Sequence, residues 1–307
     1  MSSPLRRLIA TGCLATALIC LGLVSAGPAG AAPVPAGRAA SPAGPPPGLS
    51  RTPPSVPRSV TPANDTGWDG RDPKGAPPEA GVAPRAVSPA ATTFLYGTSY
   101  QYAAADGMFA YQTVSKPFLA TADFHSLGEL AAQSADGQQI VEVGWTVDRG
   151  VNGDTNPHLF VYHWVDRVPS CYNGCGFVPY APATIRAGAT LPVGTTQFFA
   201  IQHYGTNWWI AYGSQWIGYF PDALWGGRYT RTGLSQWFGE VAAAGAAPCT
   251  DMGNGQFAAS TTASAISTMG FYNGPAVSKT TFATSPANYT ALSTGTTSMR
   301  FGGPGAC

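Results

Sequence analysis

The chain has 307 residues, with 16 Lys and Arg against 15 Asp and Glu, a formal net charge of +1 and only 10% charged residues. No basic run or patch is present, which argues against nucleic acid as a partner. A surface rich in Thr, Ser, Gln and Asn but poor in charge also limits self-repulsion in an acid medium.

Arg6 and Arg7 precede the apolar run LIATGCLATALICLGLV and then small residues up to Ala31 and Ala32, the pattern of a secretory signal peptide over residues 1–31. The run is short, ends in a small-residue site and has no second apolar span behind it, so no membrane anchor is expected after its removal. The protein is read as secreted and extracellular.

Between Pro28 and Pro89 lie 16 of the 28 prolines, with almost no aromatic residues and no apolar periodicity. Such a stretch buries too little to offset its ordering entropy, so residues 32–93 read as a disordered, polyproline-like linker or pro-region. From Phe94 to Cys307 the sequence turns aromatic and Gly-rich. That length suits a single all-β domain.

Short alternating runs separated by Gly, Asn, Asp and Pro dominate this domain: GMFAYQTV, QIVEVGWTV, HLFVYHWV, TQFFAIQHY and TTFAT. With no helical period between them, the expected fold is all-β, an antiparallel β-sandwich of two packed, curved sheets. NWWIAYGSQWIGYF reads as a hairpin turning at Gly213-Ser214, which sets Tyr212 opposite Gln215, Ile210 opposite Ile217 and Trp208 opposite Tyr219.

Cys13 and Cys20 leave with the leader, and Cys171, Cys175, Cys249 and Cys307 remain, which allows three pairings. The favoured one joins Cys171 to Cys175 and Cys249 to Cys307, worth about 2 and about 4 kcal/mol by loop closure. CYNGC lacks a second close pair and His ligands at zinc spacing, so no metal is expected, nor any cofactor. Asp148 and Asp154 lack a full calcium-loop pattern and read as turn residues.

Beyond residue 93 there are three glutamates, Glu129, Glu142 and Glu240. Strand alternation puts Val141, Val143, Trp145 and Val147 on one face and Glu142, Gly144 and Thr146 on the other. Gly144 leaves that face free of bulk beside the acid, with room for a ligand's backbone. In SQWFGEVAAAG the same rule sets Trp237, Gly239 and Val241 against Gln236, Phe238 and Glu240. A strand glutamate is most often a solvated residue or the partner of a lysine. Two of three, each beside tryptophan and glycine in so uncharged a chain, favour a functional pair. Paired carboxyls share a proton, so that one is a base and the other an acid. An acid peptidase and a β-sandwich glycoside hydrolase both use such a pair, and a noncatalytic lectin-like binding module needs neither member. His125, His158, His163 and His203 form no catalytic set, because no serine stands in a nucleophile elbow.

IVEVGWTV, NGDTNPHLFVYHW, SCYNGCGFV, NWWIAYGSQWIGYFP, WFGEV and MGNGQF together resemble, in order and spacing, the neprosin domain from about Tyr96 to the C-terminus. The resemblance implies a secreted, acid-active glutamic endopeptidase of β-sandwich fold that cleaves after proline. Its catalytic glutamates would be Glu142 and Glu240, with a local disulfide in the cysteine block. Phe238 replaces a glycine of the family pattern, and Asn254 and Gln256 replace a serine and a histidine. By analogy with other glutamic peptidases, Glu240 is the base and Glu142 its acid partner. Trp208, Tyr212 and Tyr219 of the aromatic hairpin are candidates for substrate binding. The expected partner is a proline-rich polypeptide, acted on by a monomer. If the enzyme cuts after proline, the Pro-rich segment is a string of self-cleavage sites, with Pro84 and Pro89 nearest the domain.

Overall fold

The computed structural model describes residues 44–56, 73–78 and 92–307. The leader read over residues 1–31 and the cleavage sites at Pro84 and Pro89 lie outside the described residues. From residue 92 the chain forms β1 (Thr93–Ala105), β2 (Gly107–Thr113), β3 (His125–Gln133), β4 (Ile140–Asp148), α1 (Arg149–Asn152), β5 (His158–Val165), β6 (Val168–Pro169), β7 (Val178–Pro179), β8 (Thr196–Tyr204), β9 (Asn207–Tyr212), β10 (Gln215–Pro221), β11 (Thr232–Ala243), β12 (Ser264–Tyr272), β13 (Thr280–Ala283), β14 (Thr290–Gly295) and β15 (Ser298–Gly302).

Two antiparallel sheets result, one in the order β13-β1-β11-β3-β4-β5-β6 and the other β14-β15-β12-β2-β8-β9-β10-β7. Their facing sides close on the main core. The first sheet contributes Leu130, Val143, Trp145 and Trp237, and the second Phe199, Ile201, Trp208 and Ile210. Each such side chain stabilises by about 1.5–3 kcal/mol on burial. The fold is the expected all-β sandwich, and no described helix is long and apolar enough to cross a membrane.

A second apolar cluster covers the outer face of the first sheet and includes Tyr96, Leu127, Tyr162, Trp164 and Phe238. A third covers the outer face of the second sheet. The first sheet is therefore buried on both sides at its centre, where every residue of β3 and β4 is shielded from solvent. β3 (HSLGELAAQ) carries little of the β-branched signal that marks its neighbours, because small residues are required there. A Cβ on Gly128 would stand 2.8 Å from the Trp145 indole nitrogen.

Alternation assigned the faces of β4 and β11 correctly, with Trp145 and Trp237 in the core between the sheets and Phe238 outside. The hairpin register differs from the expectation past the first pair. Tyr212 does face Gln215, but a bulge between Trp216 and Gly218 then pairs Tyr219 with Trp209 and Phe220 with Trp208. This slip brings Trp216 and Tyr219 onto one outer face and leaves Ile217 and Phe220 in the core. Both expected disulfides, Cys171–Cys175 and Cys249–Cys307, are formed.

Two stretches of the segment read as linker or pro-region lie against the sandwich. Residues 44–56 cover the second sheet, where Leu49 joins the outer cluster. Residues 73–78 enter the first sheet's outer face, where Lys74 is buried.

Candidate active site

Glu240 on β11 and Glu142 on β4 stand two strands apart, with β3 between them. Register sets Glu240 opposite Leu127 and Glu142 opposite Ala131, and both neighbours lie on the outer face of β3. Glu129, on the same face, is the third member. It pairs with Gly144, whose absent Cβ would stand 2.1 Å from the Gly128 carbonyl and 2.8 Å from the Glu129 Cα and Cβ. The space that Gly144 opens is therefore filled by β3 and the stem of Glu129, where the sequence led us to expect a ligand's backbone.

All three carboxylates converge on one cation. Lys74 Nζ lies 3.1 Å from Glu129 Oε1, 3.4 Å from Glu142 Oε2 and 3.2 Å from Glu240 Oε2, with every participating side chain fully buried. It also stands 5.9 Å above the ring of Phe238, in a cation–π contact. The neighbouring backbone is held as closely. Gly75 N–H donates to Glu240 Oε1 at 3.2 Å, Tyr96 Oη donates to the Ala76 carbonyl at 2.9 Å, and Gln236 Nε2 donates to the Pro78 carbonyl at 2.8 Å.

The two expected glutamates have different surroundings. Trp164 Nε1 donates to Glu142 Oε1 at 3.0 Å. Burial outweighs that bond and the Lys74 charge, and pushes the Glu142 carboxyl up to about 7. Glu240 Oε1 is 2.9 Å from His125 Nε2, whose Nδ1 is 3.7 Å from Asp148 Oδ2. Burial raises Glu240 too, but Lys74 and then His125 overcome it, so its carboxyl lies below the usual range. His125 is raised in turn: burial opposes its charge, and Asp148 and Glu240 more than restore it. Glu129 is held well above the usual carboxylate range by burial first and the Glu142 charge second. One ammonium cannot neutralise three ionised carboxylates away from water, and burial accordingly favours the protonated forms of Glu129 and Glu142.

The hairpin residues do not belong to this site. Trp208 and Tyr212 lie in the core between the sheets, and Tyr219 lies on the outer face of the second sheet. Their strands β9 and β10 are in the sheet that lacks the glutamates. Asn254 and Gln256 bond within their own loop and to Ser264, Ser260 and Thr262. Asp148 caps α1 by accepting from Val151 N–H at 2.9 Å, and Asp154 accepts from Asn156 N–H at 2.8 Å, so both act as turn residues.

Sequence reading passed over Glu129, His125 and Lys74. GEL carries a sign like that of the other two acids, a lone glutamate near a glycine in an apolar run, and directly after the glycine as in Glu240. His125 shows itself only through register, opposite Asp148 on β4 and Ala242 on β11.

A family model described as Neprosin matches residues 123–304. No curated protein matches the chain significantly. Among solved structures, scytalido-glutamic peptidase with a peptide-based transition-state analogue is similar at 9% identity, covering 70% of this chain and 100% of that one, with a TM-score of 0.36. SCP-B, a member of the eqolisin family of peptidases in complex with the tripeptide Ala-Ile-His, is similar at 8% identity over 70% and 100%, with a TM-score of 0.33. The agglutinin CG-16 from chicken liver is similar at 8% identity over 49% and 93%, with a TM-score of 0.28.

Proposed function

The chain belongs to the neprosin family, and on that premise we propose that it is a secreted glutamic endopeptidase, with Glu240 as general base and Glu142 as general acid. The observation that carries this reading is the meeting of two carboxyls from separate strands within 3.4 and 3.2 Å of one buried atom, in environments that push their protons apart. When a water molecule stands where the Lys74 ammonium lies, Glu240 takes its proton as the oxygen attacks the peptide carbonyl carbon. Glu142, protonated, donates to the carbonyl oxygen as negative charge develops there. The tetrahedral intermediate collapses by breaking the C–N bond: the proton gained by Glu240 passes to the leaving nitrogen, and the proton lent by Glu142 returns to it from the hydroxyl as the C=O bond re-forms.

Lys74 fills the position that this water needs. The arrangement is therefore that of a latent enzyme, and residues 73–78 must leave before substrate enters. Their manner of binding supports a preference for proline-rich chains, since Pro77 and Pro78 are buried and the carbonyls on either side of Pro77, those of Ala76 and Pro78, are captured by Tyr96 and Gln236. Export is supported by the two disulfides, which persist in oxidising compartments.

The test is incubation of the wild type, Glu142→Gln and Glu240→Gln at acid pH with a proline-rich protein and, separately, with a polysaccharide. Loss of a general acid or base is expected to slow peptide cleavage by roughly 10²–10⁴-fold. Wild-type protein that cuts no peptide bond, or that cuts only the polysaccharide, would overturn the reading.

A further inference from the structure

The outer face of the second sheet carries a row of aromatic side chains that the proposed chemistry does not use. Tyr111 on β2, Phe198 on β8, Trp209 on β9 and Trp216 and Tyr219 on β10 form one cluster, and Leu49 of the Pro-rich segment is buried among them. The segment runs Pro45-Pro46-Pro47-Gly48-Leu49-Ser50, with Pro53 buried further on. Two ring donors hold its backbone: Tyr111 Oη donates to the Gly44 carbonyl at 3.2 Å, and Trp216 Nε1 donates to the Ser50 carbonyl at 3.2 Å.

We propose that this face is a binding site for proline-rich polypeptide, filled in this chain by its own residues 44–56 and open to a second such polypeptide when that segment is displaced. A polyproline-type chain makes no internal hydrogen bonds, so its carbonyls remain free to accept. Its prolines offer flat apolar surface at low entropic cost. Aromatic surfaces bearing indole N–H and phenol O–H groups meet both requirements, because the rings pack on proline while their polar ends take the carbonyls.

Two further observations show that the segment fills the face incompletely. Trp209 Nε1 and the Tyr272 hydroxyl are shielded from solvent and have no hydrogen-bond partner among the described residues. A cavity of about 750 Å³ lies between residues 44–51 and the edge formed by Phe109, Phe271 and Tyr272. A longer proline-rich ligand can occupy that space and bring a carbonyl to the Tyr272 hydroxyl, which lines it and which the resident segment leaves unmet.

The site is separate from the carboxylate cleft, which lies on the outer face of the other sheet, so it stands whether or not the chain is a peptidase. If it is one, the same chain lies on both faces in series, residues 44–56 on one and 73–78 on the other. A long proline-rich substrate held at both gains the effective concentration that a tether supplies.

The experiment uses the full chain carrying Glu240→Gln, so that nothing is cut, and a fluorescent peptide of the sequence PPPGLSRTPPSV. Adding Leu49→Asp releases the resident segment and is expected to tighten peptide binding at least tenfold over the chain with Leu49 intact. Leu49→Ala, a milder change, should follow in the same direction. In the Leu49→Asp chain, Trp216→Phe keeps a ring but removes the donor, and binding should weaken severalfold, while Gln236→Leu in the cleft should leave it unchanged. No gain in binding from either Leu49 variant overturns the proposal. So does a Trp216→Phe chain that binds as before, or a loss seen only with Gln236→Leu.

Discussion

Lys74 and Glu240 are joined twice, by an ion pair of 3.2 Å and by the N–H of the next residue, Gly75, which donates to the second oxygen of the same carboxylate. A charge and a backbone bond on one carboxylate together hold residues 73–78 here, and the hold falls on the proposed general base. Lys74→Met keeps length and removes charge. Breaking a buried pair by one partner costs about 3–5 kcal/mol, and the loss falls on docking of the segment, since the sandwich core does not contain Lys74. The full-length variant should therefore cut substrate at once where wild type shows a lag. An equal lag in both, in time courses at pH 5–6, would mean that Lys74 does not enforce latency.

Gly75 offers a test that leaves the charge in place. A Cβ there would stand 2.3 Å from Tyr96 Oη, 2.7 Å from Phe94 and 2.8 Å from Glu240 Oε1. Gly75→Ala must push the segment out of the cleft or displace Tyr96, so it should shorten the lag as Lys74→Met does. Gly75→Ala with the wild-type lag would show that the cleft gives way at low cost.

Acid should open the latch in two stages. As pH falls past about 7, Glu142 takes its proton and the ammonium loses one partner. Glu240 keeps its charge longer, because Lys74 and His125 hold its carboxyl below the ordinary value of 4.5. The stabilisation tied to that depressed value is complete above 4.5 and is lost as pH falls through the lower bound-state value. Hydrogen exchange at the Gly75 amide, corrected for intrinsic rate, should show protection at pH 5–6 that is lost as pH falls through the lowered Glu240 value. Protection that stays undiminished after Glu240 has taken its proton would rule out acid release.

The sequence made one part of this site legible and hid another for the same physical reason. Glu142 and Glu240 stand out because alternation assigns them to a face, and their neighbours Trp145 and Trp237 mark the opposite one. Glu129 has the same glycine beside it but sits in HSLGELAAQ, whose small residues are imposed by the Trp145 indole packed against Gly128. Packing erased the β-branched signal that reveals a strand. Lys74 was unreadable because its partners lie 55 and 166 positions away, and nothing in a Pro-rich stretch announces a docking lysine. The aromatic hairpin misled through register. A single bulge past Trp216 moved Tyr219 off Trp208 and onto Trp209, and the whole ribbon belongs to the other sheet.

Gly144 ties the fold to the site. Because its Cβ would stand 2.1 Å from the Gly128 carbonyl, Gly144→Ala must separate β3 from β4 at the point where Glu129 and Glu142 are set. Overpacking of this kind typically costs about 1–3 kcal/mol, with the clash here falling on backbone. A lower melting temperature and reduced cleavage should appear together, and a variant with wild-type melting and activity would show that the strands part freely.

His125 is the remaining buried group that touches Glu240, the proposed base, at 2.9 Å, with Asp148 on its far side. Burial alone would strip its proton, and Asp148 and Glu240 together restore it. A cationic His125 lowers the proton affinity of Glu240, which suits it to the proposed role of base in acid. His125→Gln removes that charge, and loss of an adjacent opposite charge shifts a carboxyl by about 1–3 units. The acid limb of the kcat/KM profile should move to higher pH by that amount, because an ionised base is then available only at higher pH. Asp148→Asn should shift it in the same direction but less. Asparagine caps a helix as well as aspartate does, so α1 is preserved and the change reports on His125. If both variants lower the rate equally at every pH and leave the limb in place, His125 is only a structural neighbour of Glu240.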